Sequence, residues 1–134
     1  MRHLAIAAIL ACTAALPAAA DPVAGLWRTE PGDEGGYLFV RVGPCGAEIC
    51  GVIERSVGAD GTVSTTTAGY EHIGRGMIWD MQPQGDGSYR GGKIWAPDRD
   101  RTYNSRMTLL SAGQLEVEGC VLGICRGQIW VRAE

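Results

Sequence analysis

The apolar residues of this chain occur in short runs separated by turn-forming residues. From residue 21 onward no run keeps the 3.6-residue period of a helix, and β-branched, Leu and aromatic residues alternate with polar ones, as is typical of strands. Clusters of Gly, Pro, Asp and Ser interrupt the runs about every 8–12 residues. The pattern predicts eight strands, at residues 25–29, 36–42, 47–55, 75–81, 88–95, 102–110, 114–119 and 126–132.

Alternation within the runs predicts which side chains share a face. In the fourth predicted strand, Met77, Trp79 and Met81 are expected on one face and Ile78 on the other. About eight antiparallel strands are enough to close a small barrel, which leaves no exposed edge. The sequence therefore predicts an all-β fold, a single small antiparallel barrel, with a two-sheet sandwich as the alternative. The Thr-rich residues 64–72 are expected to form the longest loop.

The N-terminal residues follow a different pattern. A basic start at Arg2 precedes an apolar run over residues 4–16, and small residues end at Ala20, as in a secretory signal peptide. We expect cleavage near Ala20, which leaves residues 21–134 as one domain of periplasmic or secreted location. Cys12, inside the apolar run, allows a lipoprotein as the alternative.

Four of the five cysteines follow Ala20, in two pairs with the same C-x4-C spacing. An even number of cysteines in an exported chain indicates disulfides, and four cysteines allow three connectivities. We favour the local pairs Cys45–Cys50 and Cys120–Cys125, because each segment contains Gly and can fold back on itself. A zinc site made of all four is the alternative, although structural zinc sites more often use C-x2-C spacing.

Charge and histidine content exclude several classes of function. The formal net charge is −3, from 12 basic and 15 acidic residues without a basic run, which argues against nucleic-acid binding. No stretch approaches the ~20 apolar residues that a membrane-spanning helix needs. His72 is the one histidine after Ala20, so a site with several His ligands is excluded. We predict no metal, no cofactor and no catalytic residue.

Two features offer weak support for catalysis. His72 falls in the predicted long loop, where we expect a solvated side chain. Asp98 and Asp100 alternate with Arg99 and Arg101, and we expect a self-neutralising hairpin tip there rather than a calcium site. An envelope hydrolase built on these residues is the least favoured of three hypotheses for the function.

The first predicted strand begins with Gly25-Leu26-Trp27. A G-x-W at this position resembles the N-terminal motif of lipocalins and related calycin barrels. The resemblance implies that Trp27 closes one end of the barrel against an arginine of the last strand. Arg126 and Arg132 are available there, and Arg132 is the better placed partner.

Further motifs extend a family resemblance over nearly all of residues 21–134. The most specific block is C-terminal, and other blocks precede it in order. Together they resemble the exported bacterial domain-of-unknown-function family 2147, which implies a lipocalin-like barrel in the cell envelope and no established activity. The main blocks are Gly91-Gly92-Lys93-Ile94-Trp95, Gly119-Cys120-Val121-Leu122-Gly123, Cys125-Arg126 and Gln128-Ile129-Trp130.

The large side chains of the middle strands are the best candidates for a ligand site. They line a cup if one end of the barrel is open, and fill the interior if it is not. We predict a non-catalytic binding module for a small hydrophobic or amphipathic molecule, such as a lipid or fatty acid. The alternative is a structural or protein-interaction module of the envelope with a filled barrel. The residues expected at the ligand are Trp79, Met81, Trp95, Tyr103, Arg106 and Trp130.

Overall fold

The strands follow one another around a single sheet almost in chain order. The computed structural model describes residues 7–11 and 20–134. The predicted signal peptide, with Cys12, falls largely on residues 1–6 and 12–19, which lie outside the described residues. The strands are β1 (Gly25–Arg28), β2 (Tyr37–Cys45), β3 (Glu48–Val57), β4 (Val63–Ser64), β5 (Gly76–Pro83), β6 (Ser88–Ala96), β7 (Arg101–Ser111), β8 (Gln114–Val121) and β9 (Ile124–Arg132).

Eight of these strands close a barrel. Neighbours in the order β1-β2-β3-β5-β6-β7-β8-β9 pair antiparallel, and β9 returns to pair with β1. β4 pairs with the end of β3 outside this ring. The predicted antiparallel barrel and its eight strands are confirmed, and the sandwich is wrong. Closure joins the two edges that an open sheet would expose.

A bulge in β5 changes which of its side chains are buried. β5 has one more residue than β3 between their pairings at Met81 and Ile78, and Asp80 in this stretch has a φ of 57°. Ile78 and Met81 are therefore both in the core, whereas Trp79 is half-buried. The expectation that Met77, Trp79 and Met81 share one face is wrong, because strict alternation does not allow for the extra residue.

Side chains from all eight barrel strands fill the interior. They form one cluster of buried residues, in which Trp27, Ile53, Leu115 and Trp130 are fully inaccessible to solvent. Packing of this kind supplies most of the stability of a small barrel, because each large apolar side chain removed from water contributes about 1.5–3 kcal/mol. The interior is a hydrophobic core and not a channel.

Trp27 and Arg132 lie at one end of this core. The Arg132 guanidinium stands 4.3 Å from the centroid of the Trp27 ring, and Trp27 Nε1 donates to the Val23 carbonyl at 2.8 Å. We call this the closed end; it also contains the β2–β3, β5–β6 and β7–β8 turns, and the opposite end is the open end. Arg132 also donates to three carbonyl oxygens here, those of Pro22 (2.6 Å), Ala24 (2.8 Å) and Ala112 (2.5 Å).

One disulfide lies at each end of the barrel. Cys45–Cys50 joins β2 to β3 at the closed end, and Cys120–Cys125 joins β8 to β9 at the open end. The predicted local pairing is present, and a zinc site is wrong because all four sulfurs are in disulfides. Each bridge closes a six-residue loop across a hairpin turn and holds its two strands in register.

Candidate functional site

A cavity of about 520 Å³ lies at the open end of the barrel. Its lining comes from the β1–β2 loop, the ends of β2 and β3, the β3–β5 connection and the β6–β7 turn. Ligand sites in proteins are commonly clefts of about 300–1,000 Å³. The volume therefore suits a small molecule, held above the packed core.

The apolar part of the lining is continuous with the core. Val57 and Met77 are buried, and Leu38, Tyr70 and Ile94 are half-buried and pack against the core cluster. We call these five residues the cavity floor. They offer an apolar surface to whatever enters the cavity, and they prevent a long chain from passing down the barrel axis.

The rim of the cavity is acidic. Glu30, Asp33, Glu34 and Asp98 are exposed members of the lining, and Arg99 is the one basic residue among the described lining residues. We call the four acidic groups the rim carboxylates. Their excess over basic groups makes the entrance attractive to positively charged groups and repulsive to anions.

Two rim carboxylates also connect neighbouring loops. Asp98 Oδ2 accepts a hydrogen bond from the Asp33 backbone N–H at 3.1 Å, which joins the β6–β7 turn to the β1–β2 loop. Glu30 Oε1 accepts one from the Ile129 N–H of β9 at 3.2 Å. These bonds set the width of the entrance, because each spans two elements that line it.

The arginines of the β6–β7 turn do not neutralise its aspartates, contrary to the sequence-based expectation. Asp98 is bonded to the β1–β2 loop, and Asp100 Oδ1 accepts a hydrogen bond from Trp95 Nε1 at 3.0 Å. Within the described part of the chain, neither Arg99 nor Arg101 forms a salt bridge. The expectation is wrong because the carboxylates find amide and indole donors, which leaves both guanidinium groups in solvent.

A segment of the β3–β5 connection packs against Trp95. We call residues 65–75 the strap. Its Arg75 guanidinium lies 3.3 Å from the centroid of the Trp95 ring, and its His72 ring meets the same ring edge-on at 4.7 Å. Because Trp95 also donates to Asp100, this 3% exposed indole holds the strap to the β6–β7 turn. Both elements line the cavity.

His72 is packed between two aromatic rings. Its side chain is 24% exposed, and its ring contacts Tyr70 at 5.2 Å as well as Trp95. Nε2 lies 3.3 Å from the exposed Glu71 carboxylate. The expectation of a solvated loop histidine is wrong, because the turns of the strap fold the segment back onto the barrel wall.

Tyr70 brings a hydroxyl group to the cavity floor. Burial raises the pKa of Tyr70, and the negative charges of Asp98 and Glu71 raise it further against the opposing effect of Arg75. The hydroxyl therefore keeps its proton at neutral pH and is available as a donor or an acceptor. It is a polar group for orienting a ligand beside the apolar floor.

The cavity lining contains none of the six side chains that the sequence favoured for ligand binding. Met81, Trp95 and Trp130 are buried in the core cluster, whereas Trp79 and Tyr103 are half-buried. Arg106 is paired with Glu118 on the outer wall, at 2.6 Å between Nε and Oε2. Their role as ligand contacts stays a prediction, and the nearest to the cavity is Trp95, through the strap.

The site presents an apolar floor, the Tyr70 hydroxyl group and the rim carboxylates. His72 contacts two aromatic rings and a solvated carboxylate. In residues 7–11 and 20–134, no group of three or more His, Cys, Asp or Glu side chains is placed to hold a metal ion. In the same residues, no helix is long and apolar enough to cross a membrane. The cavity gives a small molecule access to apolar surface and to hydrogen-bonding groups.

Sequence reasoning missed most of the cavity because loops build it. The floor residues Leu38, Val57 and Ile94 lie at strand ends, and the rim residues lie in the β1–β2 loop and β6–β7 turn. One available sign was the clustering of acidic residues at positions 30–34 and 98–100, between strands that a barrel brings to the same end. Which loops meet depends on the closure, which the sequence pattern alone does not specify.

Similarity to known proteins agrees with this architecture. Residues 25–132 match the family described as "Uncharacterized protein conserved in bacteria (DUF2147)". The chain belongs to this family. The match covers every strand of the DUF2147 barrel, and the resemblance inferred from its motifs is confirmed.

A solved structure shares the DUF2147 chain's fold. It is described as "Protein HP1028 from the human pathogen Helicobacter pylori belongs to the lipocalin family". The two chains are 20% identical, with a TM-score of 0.65 over 84% of this chain and 83% of that one. The likeness shows a lipocalin-like fold. No curated protein matches the sequence.

Proposed function

We propose that this protein is an exported binding module that holds a small amphipathic molecule in the cavity at the open end, without chemical conversion. The observation that carries the proposal is a cavity of about 520 Å³ with an apolar floor and a polar rim, above a packed core. The lipocalin-like fold supports it, because the mouths of small barrels are common ligand sites. No step of this function needs a metal or cofactor.

The cavity shape limits the apolar part of the ligand. The floor residues pack directly on the core, so an acyl chain has to fold within the mouth or lie across it. One apolar chain folded within the mouth matches this volume, with its head group at the rim. Tyr70 and Gln128 offer hydrogen bonds to the head group from two sides of the lining.

The charge of the rim sets the expected class of head group. Four rim carboxylates face one arginine, so a neutral or cationic head group is favoured over a free carboxylate. The charge of the rim narrows the class of ligands expected from the sequence, which was lipids and fatty-acid-like molecules. Fatty acids become the weaker candidates, and neutral or amine-bearing amphiphiles the stronger ones.

The proposed location is the periplasm or the exterior. Two disulfides in a member of a bacterial family support an oxidising compartment. The pattern of residues 1–20 supports export with cleavage near Ala20, which leaves residues 21–134 as the working domain. Amino-terminal sequencing of the protein recovered from a periplasmic extract tests both points.

Three amphiphiles with the same twelve-carbon tail test the function. Calorimetric titration with dodecyltrimethylammonium, dodecyl maltoside and dodecanoate, each below its micellar concentration, compares head groups on one apolar tail. We expect dodecyltrimethylammonium and dodecyl maltoside to bind, and dodecanoate to bind about tenfold more weakly. Absence of binding by all three contradicts the function, and strongest binding by dodecanoate contradicts the charge argument.

A pair of isoleucine variants locates the bound tail. Ile94→Ala removes apolar surface from the cavity floor and is expected to weaken dodecyl maltoside binding about tenfold. Ile129→Ala is the matched control, because Ile129 is also half-buried and lies outside the cavity lining. Equal loss in both variants, with circular dichroism showing both folded, places the tail outside the cavity.

A further inference from the structure

The β8–β9 hairpin carries an exposed apolar tip at the open end. Val121, Leu122 and Ile124 are 50%, 98% and 69% exposed, and we call these three residues the apolar tip. The Cys120–Cys125 disulfide closes the hairpin directly behind them. Because the disulfide fixes the turn, these large apolar side chains cannot be buried in the core. They remain exposed as a fixed surface.

Leu122 is an unfavourable residue type for the backbone conformation of its turn. It has a φ of 49° and is followed by Gly123 at 79°, the pairing of left-handed residues for which Asn-Gly is favoured. A leucine is strained in this conformation, and at 98% exposure it gains no packing in return. A residue that opposes local structure without a structural gain indicates a function outside the fold.

Two exposed arginines lie beside the tip, and Asp98 and Asp100 of the neighbouring β6–β7 turn are bonded to the Asp33 N–H and the Trp95 indole. Arg126 follows it on β9, and the register that pairs Asn104 with Cys120 brings Arg101 at the start of β7 beside the turn. Both arginines are exposed, and within the described residues neither forms a salt bridge. Apolar side chains flanked by unpaired guanidinium groups match the chemistry of a lipid surface, where phosphates lie above acyl chains.

We propose that the apolar tip docks the open end of the barrel onto the surface of a bilayer containing anionic lipids. The tip enters the boundary between head groups and acyl chains, and Arg101 and Arg126 contact lipid phosphates. Glu30, Asp33 and Glu34 lie in the β1–β2 loop, and β1 and β2 are on the other side of β9 from β8, so contact through β7 to β9 leaves three of the four rim carboxylates to one side of it.

Docking in this orientation brings the cavity entrance close to the membrane. A bilayer is then the source or the destination of the amphipathic ligand, and this last step rests on the proposed function. The docking itself depends only on the tip and its arginines. The docking and the proposed function can therefore be disproved separately.

Co-sedimentation with lipid vesicles tests the docking. The protein is purified as the bacterium produces it, and its N-terminus is determined by intact mass spectrometry. It is then mixed with vesicles of pure phosphatidylcholine or with vesicles of three quarters phosphatidylcholine and one quarter phosphatidylglycerol. The test variant is the triple substitution Val121→Thr, Leu122→Asn, Ile124→Thr, which keeps β-branched residues on the strands and gives the turn its favoured Asn-Gly. We expect partition into the mixed vesicles to fall at least tenfold.

A control variant removes an exposed leucine at the other end of the barrel. Leu110 is 50% exposed beside the β7–β8 turn at the closed end, and Leu110→Thr is expected to leave partition within about twofold of the unsubstituted protein. Arg101→Gln with Arg126→Gln is expected to abolish the preference for phosphatidylglycerol. Because residues 1–20 are the same in every variant, any contribution from the N-terminus cancels.

Four outcomes overturn the proposal. They are absence of vesicle binding by the unsubstituted protein, unchanged binding by the triple variant, equal loss in Leu110→Thr, and a dimer in sedimentation velocity that the triple variant dissociates without any vesicle binding. Dodecyl maltoside titration of the triple variant separates the two proposals. Retained titration with lost vesicle binding supports docking through the tip, whereas vesicle binding without titration contradicts only the proposed function.

Discussion

The two ends of the barrel use the same residue types for opposite purposes. At the closed end, Leu115 is fully buried, Arg132 is bonded to three carbonyl groups and Tyr89 donates to the Asp21 carboxylate. At the open end, Leu38 borders a cavity and Arg99 is exposed without a salt bridge within the described residues. The closed end satisfies these side chains within the chain, whereas at the open end Leu38 is half-buried and Arg99 is in solvent.

Residues expected to affect stability and residues expected to affect binding are therefore separated along the barrel axis. Packing contributes where the interior is filled, so substitutions there are expected to act on unfolding. Substitutions of exposed side chains at the open end are expected to act on binding and to leave the fold intact, since these side chains already contact solvent. Matched pairs of one residue type at the two ends test the separation, because the chemistry of the substitution is constant within each pair.

The largest expected difference is between two leucines. Leu115→Ala leaves a cavity in the core and is expected to lower the free energy of unfolding by about 3–4 kcal/mol, whereas half-buried Leu38→Ala is expected to lower it by about 1 kcal/mol. Urea unfolding monitored by tryptophan fluorescence measures both. Equal losses would show that the open end is packed as tightly as the closed end.

The sequence predicted the closed end well and the open end poorly. Trp27 and Arg132 follow from a motif and a strand position, and the Cys45–Cys50 disulfide from a short segment that contains Gly. These features depend on contacts within hairpins or across the β1–β9 closure that every such barrel makes. A local sequence pattern is enough to predict a contact where all members of a fold repeat the same geometry.

The β5 bulge and the strap at the open end were not predicted, for physical reasons. The bulge at Asp80 alters the side-chain alternation that places Trp79 and Met81, and no local pattern marks it. The strap is held by Trp95, through contacts between segments far apart in the chain. Loop conformations of this kind depend on tertiary contacts, which periodicity does not contain.

Two arginines give an intermediate difference. Arg132→Met removes three hydrogen bonds to carbonyl groups and the contact with Trp27, and it is expected to cost about 2 kcal/mol of unfolding free energy. Arg99→Met at the cavity rim is expected to change it by less than about 0.5 kcal/mol. Thermal unfolding followed by circular dichroism compares the two, and a smaller loss for Arg132→Met than for Arg99→Met would reverse the assignment of the ends.

Two tyrosines give the smallest difference, and it appears only in alkaline solution. Burial raises the pKa of Tyr89, and its hydrogen bond to Asp21 and the charge of that carboxylate raise it further. The pKa of Tyr70 is also raised, by burial and by the charges of Asp98 and Glu71. In each case the folded chain keeps a proton that the unfolded chain releases above about pH 10.

The sign of the pH effect follows from this proton. Where the folded state binds more protons than the unfolded state, the free energy of unfolding falls as pH rises, here from about pH 10 and by at most about 1.4 kcal/mol per pH unit for each tyrosine. At pH 7 the free energy of unfolding of Tyr89→Phe is expected to be about 1 kcal/mol lower than that of the unsubstituted protein, because the hydrogen bond is absent. Between pH 10 and 11 the free energy of unfolding is expected to fall less in the variant than in the unsubstituted protein.

Urea unfolding of Tyr89→Phe, Tyr70→Phe and the unsubstituted protein at pH 8, 10 and 11 measures the effect. Other titrating groups are common to the three proteins, so their contributions cancel in the differences. We expect the alkaline loss to be relieved more by Tyr89→Phe than by Tyr70→Phe, because Tyr89 is buried in the core and hydrogen-bonded to a carboxylate. The reverse order would mean that the open end shields its hydroxyl group from water more completely than the closed end does.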